Sequence, residues 1–384
     1  MGQRISNWFN AEPRHVFDVL KYHELFCSIL GINIYQYVGN PANGDARLST
    51  VKVVNFVILN LLLVAVAAVH ANIPYDLLNN GSILVTYGIR TLLVGGMFGT
   101  CGVIMIYAWN WKSVIRVLQE IHQIDLKFQL MKHPVDFTTH RQHILLGSGL
   151  SLFLHQSILL FYNINTTKHI EDQTVSWQMI LGQIYFNIVY FSIVCLFFCM
   201  SYIMSFRFVH LNQTLKLRFD TSNGDRQGFL LGENSHRGGS LQERIRAVQK
   251  IANIYHQLTE ITFQLNGQFA DVLALNIVVM LMFSVFNIFA LLKVYASDDS
   301  RTLMFSVFNL CGGLFYSLMF LPIVGLSQMV SKEVRRFAMN NESNGALIRS
   351  MMLFSRQIRN RSAIIASRNI VIDWPFIFQV RLIS

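Results

Sequence analysis

Charge is scarce in this chain. Only 14% of its 384 residues are charged, where soluble domains carry about 25%, and a globule of this size cannot clothe itself in water with so little. Cysteine is also sparse. Of Cys27, Cys101, Cys195, Cys199 and Cys311, the last four fall inside apolar runs, so no paired extracellular framework is visible and the thiols read as small buried hydrophobes. Cys195 and Cys199 lie one helical turn apart, with no His or further Cys nearby in the sequence to complete a metal set. Enzyme signals are missing too: no HExxH, GxSxG, P-loop or GxGxxG stands in a usable context, and no two carboxylates share an apolar run. No enzyme, metal or cofactor is therefore expected, and Asp271, the lone acidic candidate, is expected to be solvated. No cleavable signal peptide is expected either, because the first 50 residues carry scattered charges and no clean apolar core. The opening "MGQRIS" fits the pattern for myristoylation of Gly2.

What is abundant is apolar length, with 53% hydrophobic residues and 30 Phe. Six runs of 20 or more nearly uncharged residues cover 51–71, 82–108, 142–163, 175–206, 268–292 and 303–327, each long enough as helix for a hydrocarbon core about 30 Å thick. The expected fold is an all-α polytopic membrane protein with six clear transmembrane helices. "HELFCSILGINIYQYVG" precedes the first run and is expected as an interfacial lead-in helix. "NIVIDWPFIFQVRLIS" offers only 11 mostly apolar residues, Ile370 to Val380, which as helix reach roughly 16 Å. The expected organisation is a cytoplasmic N-terminal segment over 1–50 and a six-helix domain over 51–327 with cytoplasmic helical extensions at 207–267. Cytoplasmic amphipathic helices follow at 328–368, then the start of an incomplete seventh span at 369–384.

Orientation follows from the Lys and Arg in alternate connections. Residues 1–52, 109–141, 207–267 and 328–368 hold 26 of them, and the opposite connections hold Lys168, Lys293 and Arg301. The N-terminus is expected in the cytoplasm, opposite to a G-protein-coupled receptor. The same rule accounts for the net charge of +10, so membrane lipid rather than nucleic acid is the expected partner of the basic surface. Sequons at Asn80 and Asn165 fall in connections placed outside.

Within the connections, Leu241, Ile245, Val248, Ala252, Tyr255, Leu258, Thr262, Leu265 and Phe269 recur at helical spacing on a stretch continuous with the fifth run. Leu347, Met351, Phe354 and Ile358 form a second stripe. Packing of these stripes against neighbouring subunits is the favoured reading, with a basic helix pair on anionic lipid as the other. Polar and aromatic residues also share one depth in the outer halves of the spans. They are Arg90, about 12 Å below the outer end of the second span, with His155, Gln156, Gln183, Tyr190, Phe283, Asn287, Phe305 and Asn309. Intramembrane polar groups are costly enough to suggest function, and a set on five helices suggests an outward-opening pocket for a small organic molecule. Interhelical hydrogen bonds are the bland alternative for each residue. Gly95 and Gly99 are expected to mark close helix packing.

"SFRFVHLNQTL", "IANIYHQLTEITFQLNGQFADVLAL" and "ASRNIVIDWPFIFQV", in this order, resemble the insect gustatory receptors of the insect chemoreceptor superfamily. The resemblance implies a tastant-gated, non-selective cation channel in the plasma membrane of sensory neurons, assembled as a homo- or hetero-tetramer with other gustatory receptors. It implies an anchor formed by the cytoplasmic helices and a ligand pocket among the second to sixth spans. The family's TYxxxxxQF signature does not follow "IDWPFIFQV", so the last helix is expected to be truncated and no pore residue carries over. Hence the alternative of a non-conducting regulatory or scaffold subunit. Aromatic content leans the ligand toward bitter compounds.

Overall fold

The computed structural model of the chain describes residues 12–38, 46–72, 83–167, 173–219, 241–296, 366–367 and 370–371. Helix α1 (Val16–Ile29) starts where its free backbone donors find partners. The His15 ring accepts from the Asp18 amide, and the Asp18 carboxylate accepts from the Arg14 amide at 2.9 Å, a reciprocal N-terminal cap. The helix ends at Gly31, whose φ of +67° lies in the left-handed region. There the amides of Gly31 and Ile32 donate back to Ser28 and Cys27 at 3.2 and 2.8 Å, which satisfies the last free carbonyls. A side chain at Gly31 would also collide with Leu59, so both backbone and space demand glycine. Strands β1 (Tyr35–Tyr37) and β2 (Ala46–Leu48) then pair antiparallel, with Tyr35 opposite Leu48. The Tyr35 ring stacks on Trp111 at 5.6 Å, and Tyr37 donates to the Glu24 carboxylate at 2.6 Å, which ties the hairpin to α1.

Helices α2 (Thr50–Ala71), α3 (Ile83–Trp109), α4 (Trp111–Leu130), α5 (Phe137–Thr167), α6 (Gln173–Phe219) and α7 (Leu241–Ala296) complete the bundle. Among the described residues, α2, Phe137–Phe161 of α5 and Ile180–Leu211 of α6 are long and apolar enough to cross a membrane. Their outward faces carry large apolar side chains: Leu61 is 65% exposed and Phe153 68%, as lipid-facing positions are. The core runs along α6, from Phe186 through Phe197 to Phe208, with α5 and α7 packed on either side. At 47 and 56 residues, α6 and α7 reach about 70 and 84 Å, so the helix expected to continue past the fourth run, and the one expected to lead into the fifth, are both present. The run 303–327 and the stripe from Leu347 to Ile358 lie outside the described residues.

Four positions differ from the sequence reading, each for a physical reason. The stretch expected whole as an interfacial lead-in helix is helical only to Ile29 and turns at Gly31 into strand β1, and the apolar face of α1, with Val16, Phe17, Val19 and Leu20 buried, is covered by α5 and α6 instead of being left to lipid. Residues 109–141, read only as a basic connection, hold α4, whose Val114, Leu118, Ile121 and Phe128 recur at helical spacing and bury one face. Gly99 does abut a neighbouring helix, 3.0 Å from Leu275 of α7 to the place of a Cβ, but Gly95 faces open space. Near the far end, Ala366–Ser367 and Ile370–Val371 pair as two short antiparallel strands, β3 and β4, where the end of the cytoplasmic helices and the start of the seventh span were expected. The β-branched Ile370 and Val371 suit extended backbone.

At the Lys- and Arg-rich end of the bundle, Arg207 of α6 is 1% exposed and grips Asp125 of α4 with two hydrogen bonds of 2.9 Å. Its remaining nitrogen donates to Nδ1 of His140 on α5 at 3.1 Å, and the guanidinium lies over the Phe137 ring. A planar fork meeting a carboxylate this way fixes register as well as charge.

Candidate ligand site

The polar residues expected in the outer half of the membrane meet in part where α5 faces α6. His155 is 7% exposed and its Nε2 lies 3.3 Å from Oδ1 of Asn187. The Asn187 amide donates to the Gln183 carbonyl at 2.8 Å, which leaves Oδ1 as the acceptor and makes His155 Nε2 the donor. One turn on, the Phe191 ring stacks on His155 at 5.7 Å and 20°. Gln183, Asn187 and Phe191 follow at intervals of four and therefore share one stripe of α6.

On the same two helices, polar atoms are buried without use. Both amide atoms of Gln183, which is 2% exposed, have no hydrogen-bond partner, nor do both amide atoms of Gln156 beside His155 and the hydroxyl of Tyr185. Each such group costs about 1–3 kcal/mol to leave unsatisfied. Tyr190, also named from sequence, is buried on the same helix. Gly182 permits a close approach: a Cβ there would run into Val66 and His70 of α2. The site can thus offer hydrogen bonds to a guest against a stacked aromatic wall. Asn187, Tyr185 and Phe191 escaped the sequence reading, although the four-residue spacing from Gln183 was the available signal for Asn187 and Phe191.

The other expected residues are distributed elsewhere. Arg90 falls on α3, and Phe283 and Asn287 fall on α7, as helix positions whose side chains are outside the described set; so are those of Ile245 and Val248 on α7. Phe305, Asn309, Leu347, Met351, Phe354 and Asn80 lie outside the described residues altogether. Asn165, expected in a connection, sits in the last turn of α5. Tyr255, expected on the subunit-anchor face, is 2% exposed within this one chain and packs edge-on against Phe208 of α6 at 5.6 Å. Its ring closes the α6–α7 seam, a role inside the chain. Asp271 is exposed, as expected.

Residues 20–380 match the sequence pattern of the family described as 7tm Chemosensory receptor. The chain belongs to that family. Among solved structures, this chemosensory receptor is similar to the insect olfactory receptor OR5 from Machilis hrabei, with a TM-score of 0.64, 9% identity, and 98% of this chain and 97% of the other covered. The same receptor in complex with eugenol gives a TM-score of 0.65 at 9% identity, with the same coverage. Likeness at that identity shows the fold alone, an all-α polytopic membrane protein. No curated protein matches the sequence.

Proposed function

We propose that this chemosensory receptor is a gustatory-class subunit: a non-selective cation channel opened by a small external molecule, with a lean toward bitter compounds. It acts as a homo- or hetero-tetramer with other gustatory receptors in the plasma membrane of sensory neurons. Its N-terminus is cytoplasmic, and Asn80 and Asn165 are glycosylation acceptors. The family supports reception over catalysis. The observation that carries the ligand site is the buried, unpartnered amide of Gln183 beside the His155–Asn187 pair. A protein core gains nothing from such an amide, whereas a receptor gains a hydrogen bond to its ligand. The OR5 complex contains eugenol, and an aromatic molecule with one hydrogen-bonding group also fits the chemistry of the Phe191 wall and the free amides here. Arg90, Phe283, Asn287, Phe305 and Asn309 are proposed as further lining, and Ile245, Val248, Leu347, Met351 and Phe354 as subunit contacts.

Gln183→Leu separates a ligand site from a structural role. Losing one hydrogen bond to the ligand raises the half-maximal concentration about two- to tenfold in recordings of tastant-evoked current. Removing an unsatisfied buried amide raises the midpoint of thermal unfolding of the ligand-free protein. A variant that loses stability while its dose response stays unchanged defeats the assignment.

A further inference from the structure

No histidine stands near Cys195 and Cys199 in sequence, but the fold supplies one, together with a third thiol. His23 and Cys27 of α1 dock against the stretch of α6 that carries both cysteines. His23 Nε2 lies 2.9 Å from the carbonyl oxygen of Ser192. A carbonyl only accepts, so Nε2 carries the proton and Nδ1 is left as the acceptor. Cys27 Sγ sits 3.5 Å from that Nδ1. Nucleophile, base and orienting group therefore stand in a chain, which is the arrangement that activates a thiol. The Cys195 thiol is within hydrogen-bonding reach of both His23 and Cys199, so a second sulfur waits on the same imidazole. Among the described residues no group of three or more His, Cys, Asp or Glu is disposed to hold a metal ion. Cys27, Cys195 and Cys199 are 2%, 6% and 4% exposed, so only a small uncharged reagent reaches them in the folded protein.

We propose that His23, Cys27 and the Cys195–Cys199 pair form a redox-responsive thiol site that reacts with a small hydroperoxide and ties α1 to α6 through a disulfide. In the first step His23 Nδ1 takes the Cys27 proton and the thiolate attacks one peroxide oxygen. The S–O bond forms as the O–O bond breaks, and the leaving oxygen takes the proton back from His23 and departs as an alcohol or, from hydrogen peroxide, as water. Cys27 is then a sulfenic acid. In the second step the sulfur of Cys195 or its neighbour Cys199 attacks the Cys27 sulfur. The S–S bond forms, the S–O bond breaks, and hydroxide leaves with the attacking thiol's proton as water. Two thiols are oxidised by two electrons and one peroxide is reduced by two. The link joins elements already in contact through His23 and Ser192, and forming it requires the two Cα atoms to come within about 7 Å.

The full chain, purified in detergent under reductant and then freed of it, is exposed to hydrogen peroxide. Remaining thiols are blocked with maleimide after denaturation, and the protein is digested and mapped by mass spectrometry without reduction. The expected result is a Cys27 peptide joined to one carrying Cys195 or Cys199, reversed by reductant, while Cys101 stays a free thiol. His23→Gln slows the appearance of the link on the order of 10- to 100-fold, the share of a positioned base, with gel filtration confirming that the variant is folded. The wild-type map decides the matter even where that variant fails to fold. The proposal is overturned by a Cys27 that stays reduced while Cys101 oxidises, by a bond confined to Cys195 and Cys199, or by a folded His23→Gln that links at the wild-type rate.

Discussion

Glu24 shows how one buried residue sets a pH response. Its carboxylate accepts from Tyr37 at 2.6 Å and from Tyr35 at 3.4 Å, and Lys52 reaches the Tyr35 carbonyl at 2.7 Å. Burial pushes the carboxyl above its usual range, and the two hydroxyls and nearby cations only partly oppose this. The native state therefore binds the Glu24 proton more tightly than the unfolded chain does. Stability from this group is fully present below about 4.5, the ordinary value, and is lost as pH rises through the higher native value. Gln keeps the acceptor oxygen and removes the titration. Glu24→Gln is thus expected to unfold at a higher temperature than wild type at pH 7, with the two midpoints converging toward pH 4.5. Midpoints that differ equally at both pH values would show that charge on Glu24 is not the cause.

Among the described residues Arg207 joins α6 to both α4 and α5 through its ion pair with Asp125 and its hydrogen bond to His140. Removing one partner of a buried pair strands the other, at a cost of about 3–5 kcal/mol. Arg207→Ala should therefore lower the unfolding midpoint steeply by leaving Asp125 buried and unpaired. Arg207→Met combined with Asp125→Leu should recover most of the loss, since a well-packed apolar replacement of such a pair is often neutral or better. A double variant as unstable as Arg207→Ala alone, measured by thermal unfolding in detergent, would mean the two residues act separately. This tie was hidden in sequence because Arg207 read as one more charge at the end of an apolar run, and Asp125 as one on a connection. Apolar runs announce helices α2, α3, α5, α6 and α7, because a hydrocarbon core demands length and leaves a strong one-dimensional signal. Half of the candidate site was legible for the same reason: His155 and Gln183 stand out as polar groups among apolar neighbours. The partners Asn187, Cys27 and His23 did not, since which helix faces which is decided by packing across many tens of residues. His23 lies 169 positions from the Ser192 carbonyl it binds.

At the scale of the whole molecule the distribution of cations is the organising fact. Arg207, His140, Asp125 and the basic α4 gather at one end of the bundle, and the unpartnered amides of Gln156 and Gln183 lie on the same α5 and α6, away from it. About 24 Å of α5 separates His140 from Gln156, taking 16 residues at 1.5 Å each, so the two sites lie toward opposite membrane faces. If the basic end is cytoplasmic, as the 26-to-3 bias of Lys and Arg leads one to expect, the proposed ligand site lies toward the outside, where an external molecule arrives. That linkage makes topology a test of function. An epitope placed before Met1 is expected to bind antibody only in permeabilised cells, and one inserted between Asn79 and Asn80 to bind it on intact cells. The reverse pattern would put the Gln183 amides on the cytoplasmic side, and a receptor for external molecules could not be built on them.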